Sequence, residues 1–110
     1  MQHDGTSFDE FVPNTIEWEL LETLKVIPDD ILVNKYANDV FYKSDLQKIL
    51  NDLQIEELII TGCATDFCVV SAIQSALTRE YHVVVVEDSY TAGERPRFKA
   101  GKVIEYYNWV

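Results

Sequence analysis

An α/β domain with parallel strands is predicted by three features of the chain. Short apolar runs alternate with segments of helical period. The stretch from Leu58 to Glu87 reads strand, helix, strand over about thirty residues, the size of one parallel βαβ unit with a right-handed crossover. Val83-Val84-Val85-Val86 is apolar without a break, which suits a parallel strand covered on both faces.

The elements follow in order. Met1 to Val12 is polar with scattered aromatics and reads as loop. Thr15 can cap a short helix carrying Trp18, Leu20, Leu21 and Leu24. Pro28-Asp29-Asp30 is a turn, and Ile31-Leu32-Val33 is a short strand. Asn34 to Lys43 has no clean period and reads as a loop of functional length. Ser44 is an N-cap for a helix with Leu46, Ile49, Leu50 and Leu53 at helical spacing. Leu58-Ile59-Ile60 is the next strand. A helix follows with Val69, Val70, Ile73, Ala76 and Leu77 on one face, and then a strand from Tyr81 to Glu87. Asp88 to Pro96 is a loop, and Phe98 to Val110 is a final helix with Val103, Ile104 and Tyr107 inward. Only three convincing strands are visible. That is thin for a parallel sheet covered on both sides, so the chain reads as part of a larger domain.

Composition narrows the function classes. A length of 110 residues allows one domain at most. The formal charge of -10 argues against nucleic acid and anionic membrane surfaces, which select basic faces. No apolar run is long enough to cross a bilayer. Two cysteines without a secretory signal suggest a reducing compartment, hence a cytoplasmic protein.

Cys68 is the residue that points to chemistry. It follows the Leu58 strand and opens a helix, in Gly62-Cys63-Ala64-Thr65-Asp66-Phe67-Cys68-Val69. Backbone N–H groups at a helix start are unpaired, and the dipole there favours thiolate over thiol. Parallel α/β folds bind ligands beyond the carboxyl ends of their strands. The bland alternative is a small buried hydrophobe. Lys35, directly after Ile31-Leu32-Val33, is ordinarily a solvated charge, but from this position it can reach the same crevice and stabilise a thiolate.

The Cys68 segment resembles the signature of the isochorismatase-like cysteine hydrolases, a family that includes nicotinamidases. Asp30-Ile31-Leu32-Val33-Asn34-Lys35 followed by Phe41 and Leu46, and Ala76, Tyr81 and Val84-Val85-Val86 before Asp88, extend the resemblance over nearly the whole chain. It implies a Cys-Lys-Asp triad on a Rossmann-like parallel sheet. Cys68 would be the nucleophile and Lys35 the triad lysine. The N–H groups of Ala64 and Cys68 would form the oxyanion hole, and Cys63–Ala64 would be a cis peptide. The family's first strand, which carries the triad aspartate, has no counterpart here, and Met1-Gln2-His3 resembles the end of its second strand. The expected fold is therefore a partial, N-terminally truncated Rossmann-like three-layer sheet, one incomplete domain over residues 1–110. The expected activity is hydrolysis of a small amide, weak or absent without the acid, with no cofactor and no metal. A sheet with exposed edges favours association, so a homo-oligomer is expected. The alternative is a catalytically inactive fragment or a small-molecule-binding α/β module without chemistry.

Other residues carry weaker signals. Asp66 reads as a helix cap rather than a site residue. Cys63 reads as packing, since its spacing from Cys68 is not a redox C-x-x-C. Asp88 reads as structural and His82 as a packed surface residue. His3 lacks the neighbours a metal ligand needs. Arg95, Arg97 and Lys99 read as a solvated helix start. Tyr36, Phe41 and Tyr90 either line a pocket for a planar ligand or simply pack. Glu80 stands where a glycine in left-handed conformation is usual.

Overall fold

Apolar runs in this chain become strands only where another backbone lies alongside. The computed structural model describes residues 1–110. Strands β1 (Gln2–His3) and β2 (Asn34–Lys35) pair in parallel. Strands β3 (Glu57–Cys63) and β4 (His82–Thr91) form a second parallel pair. Helix α1 (Leu46–Asp52) precedes β3, helix α2 (Val70–Thr78) crosses from β3 to β4, and helix α3 (Ala100–Trp109) closes the chain. The βαβ unit predicted from Leu58 to Glu87 is present. No helix is long and apolar enough to cross a membrane.

Four expectations are corrected. The strands do not make one sheet: they form two separate two-stranded pairs. The strand expected at Ile31–Val33 forms at Asn34–Lys35 instead, and the N-terminal segment read as loop supplies its partner, β1. Ile31 and Leu32 have no backbone beside them and stay 53% and 58% exposed. The helix expected from Thr15 is a run of turns. Ile16, Leu21 and Leu24 find no surface to pack on and are exposed, and a helix this short is marginal without tertiary support. Asp88 to Thr91, expected as loop, belongs to β4, because a register shift between Ile60 and Gly62 realigns Gly62 with Tyr90 and Cys63 with Thr91. Gly62 has φ 133°, backbone that a side chain rarely adopts, so the bulge needs glycine there.

The core lies beneath β3 and β4. Phe41, Leu50, Ala76 and Tyr81 are buried together, flanked by Val40, Leu46, Leu58, Ile60 and Val83. The Phe41 and Tyr81 rings stack with centroids 6.0 Å apart, and Gln47 Nε2 donates to Tyr81 Oη at 2.6 Å. Helix α2 and the turn before it bury the stripe Val69, Ala72 and Ala76, whereas Leu77, expected inward, is 55% exposed. Ser44 acts one residue before the formal α1 cap, Asp45, with its Oγ accepting the Leu46 N–H at 3.3 Å. Val103, Ile104 and Tyr107 are the less exposed side of α3, as expected, although none is fully buried. Glu80 has φ 66°, the left-handed conformation anticipated at that helix end.

Candidate active site

The turn that carries Cys68 is set by the strand before it and the helix after it. β3 ends at Cys63, the Cys63–Ala64 peptide is cis, and Thr65–Val69 forms one π-helical turn leading straight into α2. The Ala64 carbonyl accepts the N–H of Phe67 at 3.0 Å and of Val69 at 3.2 Å, which closes the turn. Thr65 is 2% exposed, and its Oγ1 donates to the Thr91 carbonyl at 2.9 Å, tying the turn to the end of β4. α/β architecture thus holds Cys68 at the carboxyl end of β3.

Lys35 reaches the same point from the end of β2. Its side chain is 6% exposed, and Nζ lies 3.3 Å from Cys68 Sγ, so the expected convergence of the two residues is present. Nζ also donates to the Ala37 carbonyl at 3.2 Å and lies 3.5 Å from His3 Nδ1. Burial first, and then the Lys35 ammonium, holds the His3 imidazole below its ordinary value of 6.5, with Asp4 partly opposing. With Nδ1 unprotonated, the His3 ring can accept from Lys35. The Cys68 Sγ also lies 3.7 Å from Asn38 Oδ1.

A cleft of about 310 Å³ opens beside this pair, with Lys35, Cys63 and Cys68 at one end and Phe41, Leu50, Ile59 and Ile60 along its walls. No aspartate or glutamate lines it. Asp88 is exposed and borders a different hollow with Ile104 and Asn108. No three metal-ligating side chains cluster anywhere in the chain.

Several weaker signals resolve. Asp66 lies inside the first turn, whose cap position is Ala64, so it is not the cap expected. Its carboxylate instead accepts from Arg95 Nε at 2.8 Å and Nη2 at 2.9 Å, and Arg95 lies 4.8 Å from the Phe67 ring centre. The Arg95 hydrogen bonds hold the Asp66 carboxyl below its ordinary value, against a smaller opposing effect of burial. Arg95 is therefore not the solvated charge expected, while Arg97 and Lys99 are exposed. Its partner lies 29 residues away in sequence, so no local pattern reveals it. His82 pairs with Glu57 on the surface. Of the three aromatics, Phe41 lines the cleft, Tyr36 is exposed, and Tyr90 is buried against Thr65 and Val69 in another hollow. His3 and Asn38 were not singled out as neighbours of the thiol and its lysine. Only the β1–β2 register and the loop after Lys35 bring them there.

The fold places the chain in a known α/β family. The isochorismatase domain matches residues 3–101, and the chain belongs to that family. It is 34% identical over 97 residues to the ureidoacrylate amidohydrolase RutB of Variovorax paradoxus (strain S110), across 86% of this chain and 38% of that protein. An isochorismatase family protein of known structure superposes with TM-score 0.91 at 24% identity, across 98% of this chain and 63% of the other. N-carbamoylsarcosine amidase from Thermoplasma acidophilum superposes with TM-score 0.77 at 25% identity, across 96% and 58%. The chain spans well under half the length of the first curated relatives it matches.

Proposed function

We propose that this chain carries the nucleophile-bearing part of a cysteine hydrolase site for a small amide or ureido substrate. The observation that supports it most is the 3.3 Å approach of the Lys35 ammonium to Cys68 Sγ at the carboxyl end of the strands. The relatives' names support the substrate class. Ureidoacrylate and N-carbamoylsarcosine both contain a carbonyl flanked by two nitrogens. In this reading the Cys68 thiolate attacks the carbonyl carbon, and the displaced electron pair settles on oxygen. The Ala64 and Cys68 N–H groups stabilise that oxyanion. The C–N bond then breaks, the nitrogen leaves with a proton from the Lys35 ammonium or water, and a thioester (from an amide) or thiocarbamate (from a ureido group) remains for water to hydrolyse. A small-molecule substrate is the partner in this reading, the compartment is a reducing cytoplasm that keeps both thiols free, and copies associate through exposed apolar surface.

The leaving nitrogen has no carboxyl proton donor in the cleft. General acid help is worth about 10² to 10⁴ in rate, so amide turnover should be slow while acylation of Cys68 by an activated ester persists. The same missing carboxylate favours the competing reading of a non-catalytic binding module. One experiment decides. The chain is treated with p-nitrophenyl acetate and with N-carbamoylsarcosine, and acyl-enzyme mass and ammonia are measured. A Cys68-dependent acyl-enzyme with slow ammonia release is the expected result. No acylation of Cys68 by the ester in folded protein would sink the hydrolase reading.

A further inference from the structure

We propose that Asn38 selects a carbamoyl or ureido group over a plain acyl group, by accepting an N–H of the bound substrate at Oδ1 beside the Cys68 sulfur. The inference rests on the hydrolase reading and narrows its substrate class. The side chains around the sulfur carry the argument. Two polar ones meet it, Lys35 Nζ at 3.3 Å and Asn38 Oδ1 at 3.7 Å. An ammonium brings donors only, whereas the amide oxygen is an acceptor. While the sulfur keeps its proton, that oxygen has a weak S–H donor. When the sulfur gives up its proton to attack, Oδ1 loses this donor and is free to take another. A nitrogen on the attacked carbon sits one bond beyond it, within hydrogen-bond range of an oxygen so close to the sulfur.

The loop holds Asn38 from both sides. The Ala37 carbonyl accepts from Lys35 Nζ at 3.2 Å. Asp39 Oδ1 accepts the Phe41 N–H at 2.9 Å, and the Asp39 carbonyl accepts the Tyr42 N–H at 3.2 Å. With both neighbours pinned, the backbone of Asn38 needs little ordering when a substrate binds. Asn38 is exposed and stands outside the lining of the apolar cleft. It therefore meets the sulfur from the solvent side, where a small polar group arrives. An acetyl group has the shape of a carbamoyl group, with CH₃ in place of NH₂. It leaves Oδ1 without a donor, which is how a polar site rejects an analogue that lacks the matching N–H. Water competes at so open a position, so the discrimination is that of one net hydrogen bond, about threefold to tenfold.

The test compares phenyl carbamate with phenyl acetate on the whole chain in a mildly acidic buffer. Rates of S-carbamoylation and S-acetylation of Cys68 are read by peptide mass. In each reaction the sulfur forms a C–S bond, the C–O bond breaks, and phenoxide leaves with its electron pair and takes a proton from water. The ratio of the two rates cancels any change in the nucleophile itself. Asn38→Leu is expected to lower the carbamoyl-to-acetyl ratio by about threefold to tenfold. Asn38→Asp keeps the acceptor and is expected to hold the ratio. The position is exposed, so both variants keep the fold. An unchanged ratio in Asn38→Leu, with Cys68 still labelled by both esters, would overturn the proposal and leave the hydrolase reading standing. An equal fall in Asn38→Asp would also overturn it, because the amide would then act through its NH₂. No label on Cys68 from either ester would remove the hydrolase reading and this inference together.

Discussion

Residues 57–91 and residues 1–35 each carry two or more apolar runs, yet the first region packs while the second buries little beyond Val33 and Lys35. In the former, strand, turn, helix and strand follow one another closely, and each apolar face meets the next element in sequence. Ala76 and Thr65 reach 0% and 2% exposure, and Val69, Ala72 and Tyr81 are buried with them. In the latter, Ile16, Leu21, Leu24, Ile31 and Leu32 stay half or more exposed, and the only strands are the two-residue β1 and β2. The runs are similar in apolar character. What differs is whether a neighbour lies within a few dozen residues of chain. Hydrophobic pattern gives a segment a face to bury, but burial needs a surface to receive it.

The largest expected effect probes that contrast directly. Phe41→Ala removes a ring from the buried cluster under β3 and β4 and should cost about 3–5 kcal/mol in a urea titration. Leu24→Ala should stay within about 0.5 kcal/mol. Comparable losses at both positions would mean that the N-terminal third packs as well as the core does.

The second prediction concerns a place where the two regions meet. Lys35→Met removes the cation beside Cys68 while keeping much of the side-chain volume. Alkylation of Cys68 by iodoacetamide at neutral pH should slow by about tenfold, because the ammonium 3.3 Å from the sulfur is lost. An unchanged rate would show that Lys35 does not act on the sulfur.

A smaller effect sharpens the packed region. Glu80 holds φ 66° between α2 and β4. Glu80→Gly should raise stability by about 0.5–1 kcal/mol, because relief of the left-handed strain exceeds the added unfolded-state freedom. A loss in the same titration would mean that the Glu80 side chain contributes more than its backbone costs.

The smallest belongs to the N-terminal region. His3 is held below 6.5 by burial and by Lys35, so the unfolded chain binds its proton more readily than the folded one. Between the ordinary value and the lower folded value, stability must therefore fall as pH falls. The change should be small for this half-buried group and should vanish in His3→Asn. A pH profile of urea midpoints between 7 and roughly 5, identical in both proteins, would remove His3 from the account.

The sequence by itself determined the elements whose partners are close in the chain. The βαβ unit from β3 to β4, the helix after Ser44, the final helix, and the placing of Cys68 past a strand end were all legible from apolar period and turn chemistry. The Gly62 to Val69 resemblance and Lys35 point to Cys68 and Lys35 as a pair, and the structure brings the two side chains within 3.3 Å. The tertiary structure alone decided the contacts that span long stretches of chain. It paired Gln2–His3 with Asn34–Lys35, left Thr15 to Leu24 without a helix, set His3 beside Lys35, and turned Asp66 from an expected cap into the partner of Arg95. It also divided the strands into two pairs with a cleft between them. The reason is physical. Period and capping record what a segment does with its own backbone and nearest neighbours. Pairing of distant edges depends on which backbone is present to accept them, and no residue of a strand encodes what lies on its far side.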